Sequence, residues 1–224
     1  MSQAAISVHN LSKTFGGGRT FFGKQRHAVE AVKSVSLNLA RGETLAIVGE
    51  SGSGKSTLAR MLVGLTEPSD GTMKIAGQDA NALRRSGPRA FGKVIQYVFQ
   101  DPVASLNPRK TIRQILETPL KLLGELDSQK RQKRMEELLD AVQMPKDTLL
   151  RYPHEFSGGQ AQRIAIARTL AANAEIIVLD EPVSALDVSV QAQVLLLLDE
   201  LKQQFGLSYL FISHDLAVVE AISD

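Results

Sequence analysis

Apolar and polar residues alternate in two short runs near the start of the chain, AISVHNLS and SVSLNLA, and a period of two predicts strands. The glycine-rich stretch FGGGRTFFGKQRH separates them, which predicts an antiparallel pair joined by a flexible loop. RGETLAIVG then reads as a turn followed by a continuous apolar run, the pattern of a strand buried in a parallel sheet. KSTLARMLVGL has helical spacing and stops near Gly64 and Pro68, and GTMKIAG and VIQYVFQ are further strands. From Asp101 to Phe156 the pattern changes. TIRQILETPLKLLGEL and SQKRQKRMEELLDAVQM are charged on one face and apolar on the other, and Pro102, Pro108, Pro145 and Pro153 punctuate the stretch. This is the signature of a helical subdomain inserted into an α/β core. Strands return with AEIIVLDEP and LSYLFISHD, separated by the helix VSVQAQVLLLLDELKQQFG, so the core is expected to be a mostly parallel, sandwiched sheet.

Composition narrows this only a little. The 224 residues are 43% hydrophobic and 22% charged, as in an ordinary globular protein, with no internal repeat. The absence of cysteine excludes disulfides and thiolate metal sites and fits a reducing compartment. A net charge of +2 makes no case for nucleic acid. No basic segment followed by a long apolar stretch opens the chain, so no signal peptide is expected. The longest apolar block, VLLLLDEL, is far shorter than the about 20 residues of a membrane helix. The chain is expected not to cross a bilayer, though it could dock on a protein that does.

The chemistry is concentrated in a few short segments. GESGSGKST fits G-x-x-x-x-G-K-[ST], with Gly49, Gly54, Lys55 and Ser56 at the fixed places, directly after one strand and before one helix. In such a loop the backbone N–H groups of residues such as Ser51, Gly52 and Ser53 curl around a β-phosphate. Lys55 reaches the β/γ oxygens, and the Ser56 hydroxyl can ligate Mg²⁺. Asp180 and Glu181 close the strand IIVLD at the sheet edge where ligands bind in open α/β folds. One carboxylate there can hold Mg²⁺ and its neighbour can take a proton from an attacking water. His214 and Gln100 also end apolar runs; each could reach a γ-phosphate, its metal or the water, and each is equally at home in a structural role. FSGGQ precedes the helix QAQRIAIARTLAA, whose Ile164, Ala167 and Ala171 form an apolar stripe. Ser157 can cap this helix, Gly158 and Gly159 allow close backbone approach, and Gln160 adds a donor. Its open end suits an anion, but a plain capped helix has the same residues.

Taken together these segments resemble the nucleotide-binding subunit of ABC transporters, in order and spacing, across nearly the whole chain. The SGGQ helix about twenty residues before IIVLDEP separates this family from other P-loop NTPases. The resemblance implies an α/β fold: a P-loop NTPase (RecA-like) core with an N-terminal antiparallel β subdomain and an inserted α-helical subdomain. It implies one ABC-type ATPase domain over 1–224, with 1–100 and 166–224 as catalytic core and 101–165 as the helical signature part. By the same likeness Phe15 would stack on adenine, where the family commonly has tyrosine, with Phe21 and Phe22 nearby as other candidates. Residues 49–57, including Thr57, would hold the phosphates; Ser56, Gln100 and Asp180 would meet Mg²⁺. Glu181 would be the general base and His214 the switch histidine, while Ser184 to Asp187 would form the D-loop. Ser157, Gly158, Gly159 and Gln160 would close over the ATP of a second ABC ATPase subunit, identical or paralogous.

FQDPVASLNPRKT and RYPHEFSGGQAQRIAIARTLA resemble the ATPase subunits of bacterial importers for oligopeptides, dipeptides and nickel. Expected partners are therefore transmembrane permease subunits and, indirectly, a solute-binding protein, with no nucleic acid. The expected location is the cytoplasmic face of the bacterial inner membrane. Members of that group usually continue past ISD, so a truncated C-terminus is expected. ABC ATPases acting on DNA or ribosomes are the rival class. The short interval between GESGSGKST and IIVLDEP, and the lack within these 224 residues of a charged linker joining two ATPase units, speak against them. A P-loop kinase or GTPase would leave SGGQ and SALD without a role.

Overall fold

The computed structural model describes residues 4–16, 28–124 and 127–223. Strands β1 (Ile6–Gly16) and β2 (Ala28–Leu39) form the antiparallel pair that the alternation predicts, with Ile6 opposite Leu39 and Phe15 opposite Val29. The loop between them, residues 17–27 with Phe21 and Phe22, lies outside the described residues. Strand β3 (Thr44–Val48) feeds the glycine loop and helix α1 (Lys55–Leu62). Strands β4 (Asp70–Ile75) and β5 (Gln78–Asp79) complete an antiparallel sheet of order β2-β1-β4-β5.

Two short helices with no clear sequence signal, α2 (Ala80–Arg85) and α3 (Pro88–Val94), lead to strand β6 (Ile95–Val98). The helical stretch contains α4 (Pro102–Ser105), α5 (Ile112–Leu122), α6 (Ser128–Ala141) and α7 (Gly158–Leu170). Strand β7 (Ile176–Asp180), helix α8 (Val188–Phe205), strand β8 (Ser208–Ser213) and helix α9 (Leu216–Ile222) follow. The second sheet is fully parallel, in the order β3-β8-β7-β6.

Side-chain alternation divides the parallel sheet between two cores. Ile95, Tyr97, Ile176, Val178, Leu210 and Ile212 belong to one, with Leu58 and Met61 of α1. Val98, Ile177, Leu179, Tyr209 and Phe211 belong to the other, with Ile164 of α7 and Leu198 of α8. Each fully buried aliphatic or aromatic side chain contributes about 1.5–3 kcal/mol relative to exposure, so burial on both faces fixes the strand ends to which the site residues are attached.

Two local expectations change. Strand β3 is an edge strand among the described residues, paired only with β8, and its Leu45, Ala46 and Ile47 are half-buried rather than fully enclosed. Helix α7 is not simply amphipathic: Ala161, Gln162, Ile164, Ala165, Ile166 and Ala167 are all buried, because α4, α5, α6 and α8 pack around it. Among the described residues no helix is long and apolar enough to cross a membrane.

Candidate active site

The chain leaves β3 at Val48 and turns through Gly52 and Gly54, both with positive φ (82° and 95°). A Cβ on Gly54 would lie 2.0 Å from the Ala31 carbonyl oxygen, so only glycine fits. Gly54 is also the cap of α1 and brings no side-chain acceptor to it. The first N–H groups of α1 thus point at the loop without a side-chain cap, where the helix dipole favours an anion. Lys55 is buried, and its ammonium donates to the Gly49 and Glu50 carbonyl oxygens at 2.6 and 2.7 Å.

Facing this loop are the ends of the parallel strands. Asp180, only 3% exposed, terminates β7. Ser56 Oγ donates to Asp180 Oδ1 at 3.2 Å, and the Tyr97 hydroxyl donates to Oδ2 at 2.5 Å. Burial, and then the Asp180 carboxylate beside it, hold the Tyr97 hydroxyl well above the usual tyrosine range, so it keeps its proton and donates. The next residue, Glu181, has the left-handed φ of 48°, and its N–H donates to the Ile212 carbonyl at 2.9 Å. One oxygen of its carboxylate, Oε2, accepts from Gln100 Nε2 and contacts His214 Nδ1, both at 3.1 Å. The loop from Gly49 to Thr57, Gln100, Glu181 and His214 line one cleft of about 1120 Å³. Four segments far apart in sequence therefore meet at one sheet edge.

Ser56 and Asp180 offer hard oxygen donors, the kind Mg²⁺ takes along with phosphate oxygens and water. Among the described residues no cluster of three or more His, Cys, Asp or Glu occurs. Tyr97 went unrecognised at the sequence level. Its signal lies in the alternation of VIQYVFQ, but only the neighbouring placement of β6 and β7 puts it beside Asp180.

The remaining predicted residues fall elsewhere. Phe15 is 45% exposed and does not line the cleft; its cross-strand neighbour Val29 does, and the Lys13 ammonium sits 5.1 Å from the Phe15 ring centre. Ser157 to Gln160 and Asp187 are likewise absent from the cleft lining. Ser157 and Gln160 form a reciprocal capping box, in which each side chain accepts from the other's backbone N–H. The close approach that the glycines allow is to this chain's own residues. A Cβ on Gly159 would lie 2.4 Å from Val190 Cγ1, and one on Gly158 would lie 3.2 Å from Leu186. Asp187 caps α8, accepting from the Val190 N–H at 3.0 Å.

Known proteins resemble this chain in both sequence and fold. Residues 32–184 match the family model described as ABC transporter. The oligopeptide transport ATP-binding protein AppF of Bacillus subtilis is 49% identical over 223 residues, covering 99% of this chain and 68% of that protein. OppF of Lactococcus lactis, another oligopeptide transport ATP-binding protein, is 47% identical over 204 residues, covering 91% of this chain and 64% of that one. The chain thus spans about two thirds of the length of these relatives, and only 60% of a peptide import ATP-binding protein of Brucella abortus. Among solved structures, the dimeric post-hydrolysis state of the ATP-binding cassette MJ0796 bound to ADP and Pi matches with TM-score 0.83 at 32% identity, covering 96% of this chain and 90% of that one. CbiO1 of Clostridium perfringens, part of an ABC transporter complex, also reaches 0.83 at 26% identity, covering 100% and 83%. With a family match over most of its length and relatives near half identity, the chain belongs to the ABC transporter family.

Proposed function

We propose that this chain is the ATP-binding and ATP-hydrolysing unit of an importer for peptides, working as a dimer docked on separate membrane permease subunits. Relatives named for oligopeptide transport favour peptides over nickel or another small solute. The carrying observation is the separation of the two phosphate-facing elements. The glycine loop shares a cleft with Gln100, Glu181 and His214, whereas Ser157 to Gln160 do not line it. An element of this kind is of use to a nucleotide bound on another copy, and the MJ0796 cassette is dimeric with ADP and Pi.

In this reading Gly49 to Thr57 bind the phosphates, Ser56 and Asp180 hold Mg²⁺ with Gln100 near it, and Phe15 flanks the base beside the cleft-lining Val29. An Mg²⁺ ion held by these residues would supply positive charge to offset that of the phosphates. Glu181 accepts a proton from the attacking water as the bond from the γ-phosphorus to the bridging oxygen breaks, and ADP and phosphate leave. Gln100 and His214 hold the Glu181 carboxylate in place through the oxygen they share. Residues 1–100 and 166–224 are read as the catalytic core and 101–165 as the helical part. A solute-binding protein would deliver cargo to the permease, and the unit would sit peripherally on the cytoplasmic face.

Glu181→Gln tests this reading. Turnover is expected to fall about 10²–10⁴-fold, the usual worth of a positioned general base. ATP binding is retained, and an ATP-dependent dimer accumulates in light scattering. Wild-type turnover with no accumulated dimer would refute it.

A further inference from the structure

We propose that Tyr97 is a positioning residue for the cation site: its hydroxyl holds Asp180 in the orientation that turns one carboxylate oxygen toward Ser56. The inference rests on the reading of Ser56 and Asp180 as the Mg²⁺-holding pair.

The geometry is specific. Asp180 is almost fully buried, and a buried carboxylate needs a partner on each oxygen. Ser56 engages Oδ1 and Tyr97 engages Oδ2, so the two oxygens have separate duties. Tyr97 lies opposite Val178 in the pairing of β6 with β7, and Val178 and Asp180 share a face of the sheet. The tyrosine hydroxyl therefore reaches Asp180 across one strand spacing and along one two-residue step. A phenylalanine here would have the same ring but leave Oδ2 without its donor.

Its own placement is fixed as well. The Tyr97 ring is 7% exposed and packs edge-on against Phe99, with centroids 4.6 Å apart. Arg60, one helical turn after Ser56 on α1, lines with Ser56, Tyr97 and Asp180 a cavity of about 460 Å³ that shares Ser56 and Gln100 with the cleft, and its positive charge bears on the Tyr97 hydroxyl. The hydroxyl is thus a donor of fixed length and direction on a rigid ring. Partners that orient a metal ligand from behind commonly govern metal affinity as strongly as this arrangement requires.

The experiment uses the full chain with a non-hydrolysable ATP analogue and Mn²⁺ as the spectroscopic substitute for Mg²⁺. Mn²⁺ binding is read by electron paramagnetic resonance, and analogue binding in EDTA by fluorescence. Tyr97→Phe is expected to weaken Mn²⁺ binding about 10-fold or more, while metal-free analogue binding stays at the wild-type value. In an Asp180→Asn background the same change is expected to add nothing. If Asp180→Asn weakens Mn²⁺ binding and Tyr97→Phe does not, the positioning role is overturned and the metal reading stands. If Asp180→Asn also has no effect, the metal reading itself fails, and the inference with it. A parallel loss of metal-free analogue binding in Tyr97→Phe would also overturn it, since that marks a general structural role. Tyr97→Met supplies a second hydroxyl-free side chain under the same criteria should Tyr97→Phe not fold.

Discussion

Glycine stands at the start of both α1 and α7, as the cap of the first and in the first turn of the second, and the two starts are built in opposite ways. At α1 the glycine is demanded by the backbone: Gly54 has φ 95° and the Ala31 carbonyl stands where a Cβ would be. Nothing in its side chain caps the helix, and the loop faces a large cleft. At α7 the cap is complete, made by Ser157 and Gln160 on each other, and the glycines make room for Leu186 and Val190. A glycine at the start of a helix is therefore no ligand signal by itself. What stands in the place of its Cβ, and whether the helix already has an acceptor, tells the two uses apart. Ser157 can still serve a second copy, because a hydroxyl that accepts one hydrogen bond keeps its own proton to donate.

Gly54→Ala should give the largest difference between the two helices. The left-handed backbone alone costs about 1–3 kcal/mol for a residue with a side chain, before the clash with Ala31. Nucleotide affinity by titration is expected to fall about tenfold or more, since each 1.4 kcal/mol is a factor of ten. Unchanged affinity would show that the loop does not bind through this backbone conformation. Gly159→Ala is expected to act on stability, by about 1–3 kcal/mol in denaturant unfolding, the usual cost of overpacking. Val190→Ala in the same chain should restore most of that loss, and the affinity of one chain for nucleotide should not change. A stable Gly159→Ala protein that fails to dimerise with ATP would instead place this glycine against the partner's ligand. Ser157→Ala is the mildest: loss of the cap is expected to cost about 0.5–2 kcal/mol in the same unfolding measurement. No change at all would mean that Gln160 holds the helix start alone.

The glycine loop, Asp180, Glu181, Gln100 and His214 were legible because each ends a clear strand or opens a clear helix. What a strand pattern does not carry is which strands lie side by side. Tyr97 was hidden for that reason, as its role depends on β6 lying next to β7. The same ignorance made β3 read as a fully buried strand: an apolar run looks alike at the edge and in the middle of a sheet. The stripe of Ile164, Ala167 and Ala171 marks one apolar face of α7, yet the polar Gln162 is wholly buried as well. Its side-chain amide has no hydrogen-bond partner, a feature for which the packing offers no account. The left-handed turn at Glu181 had no signal, since nothing in DEP demands a positive φ at a glutamate.

The contacts of Lys55 bear on how tightly the loop can bind. Its ammonium bridges the Gly49 and Glu50 carbonyls, tying the start of the loop to the start of the helix. A phosphate bound here would find one of the ammonium's three protons uncommitted and would have to compete with the two carbonyls for the others, so part of the lysine's hydrogen bonding would be an exchange of partners. In return the loop is already shaped, and little chain entropy is lost on association. The same two bonds thus lower what the lysine can add and lower what ordering the loop costs.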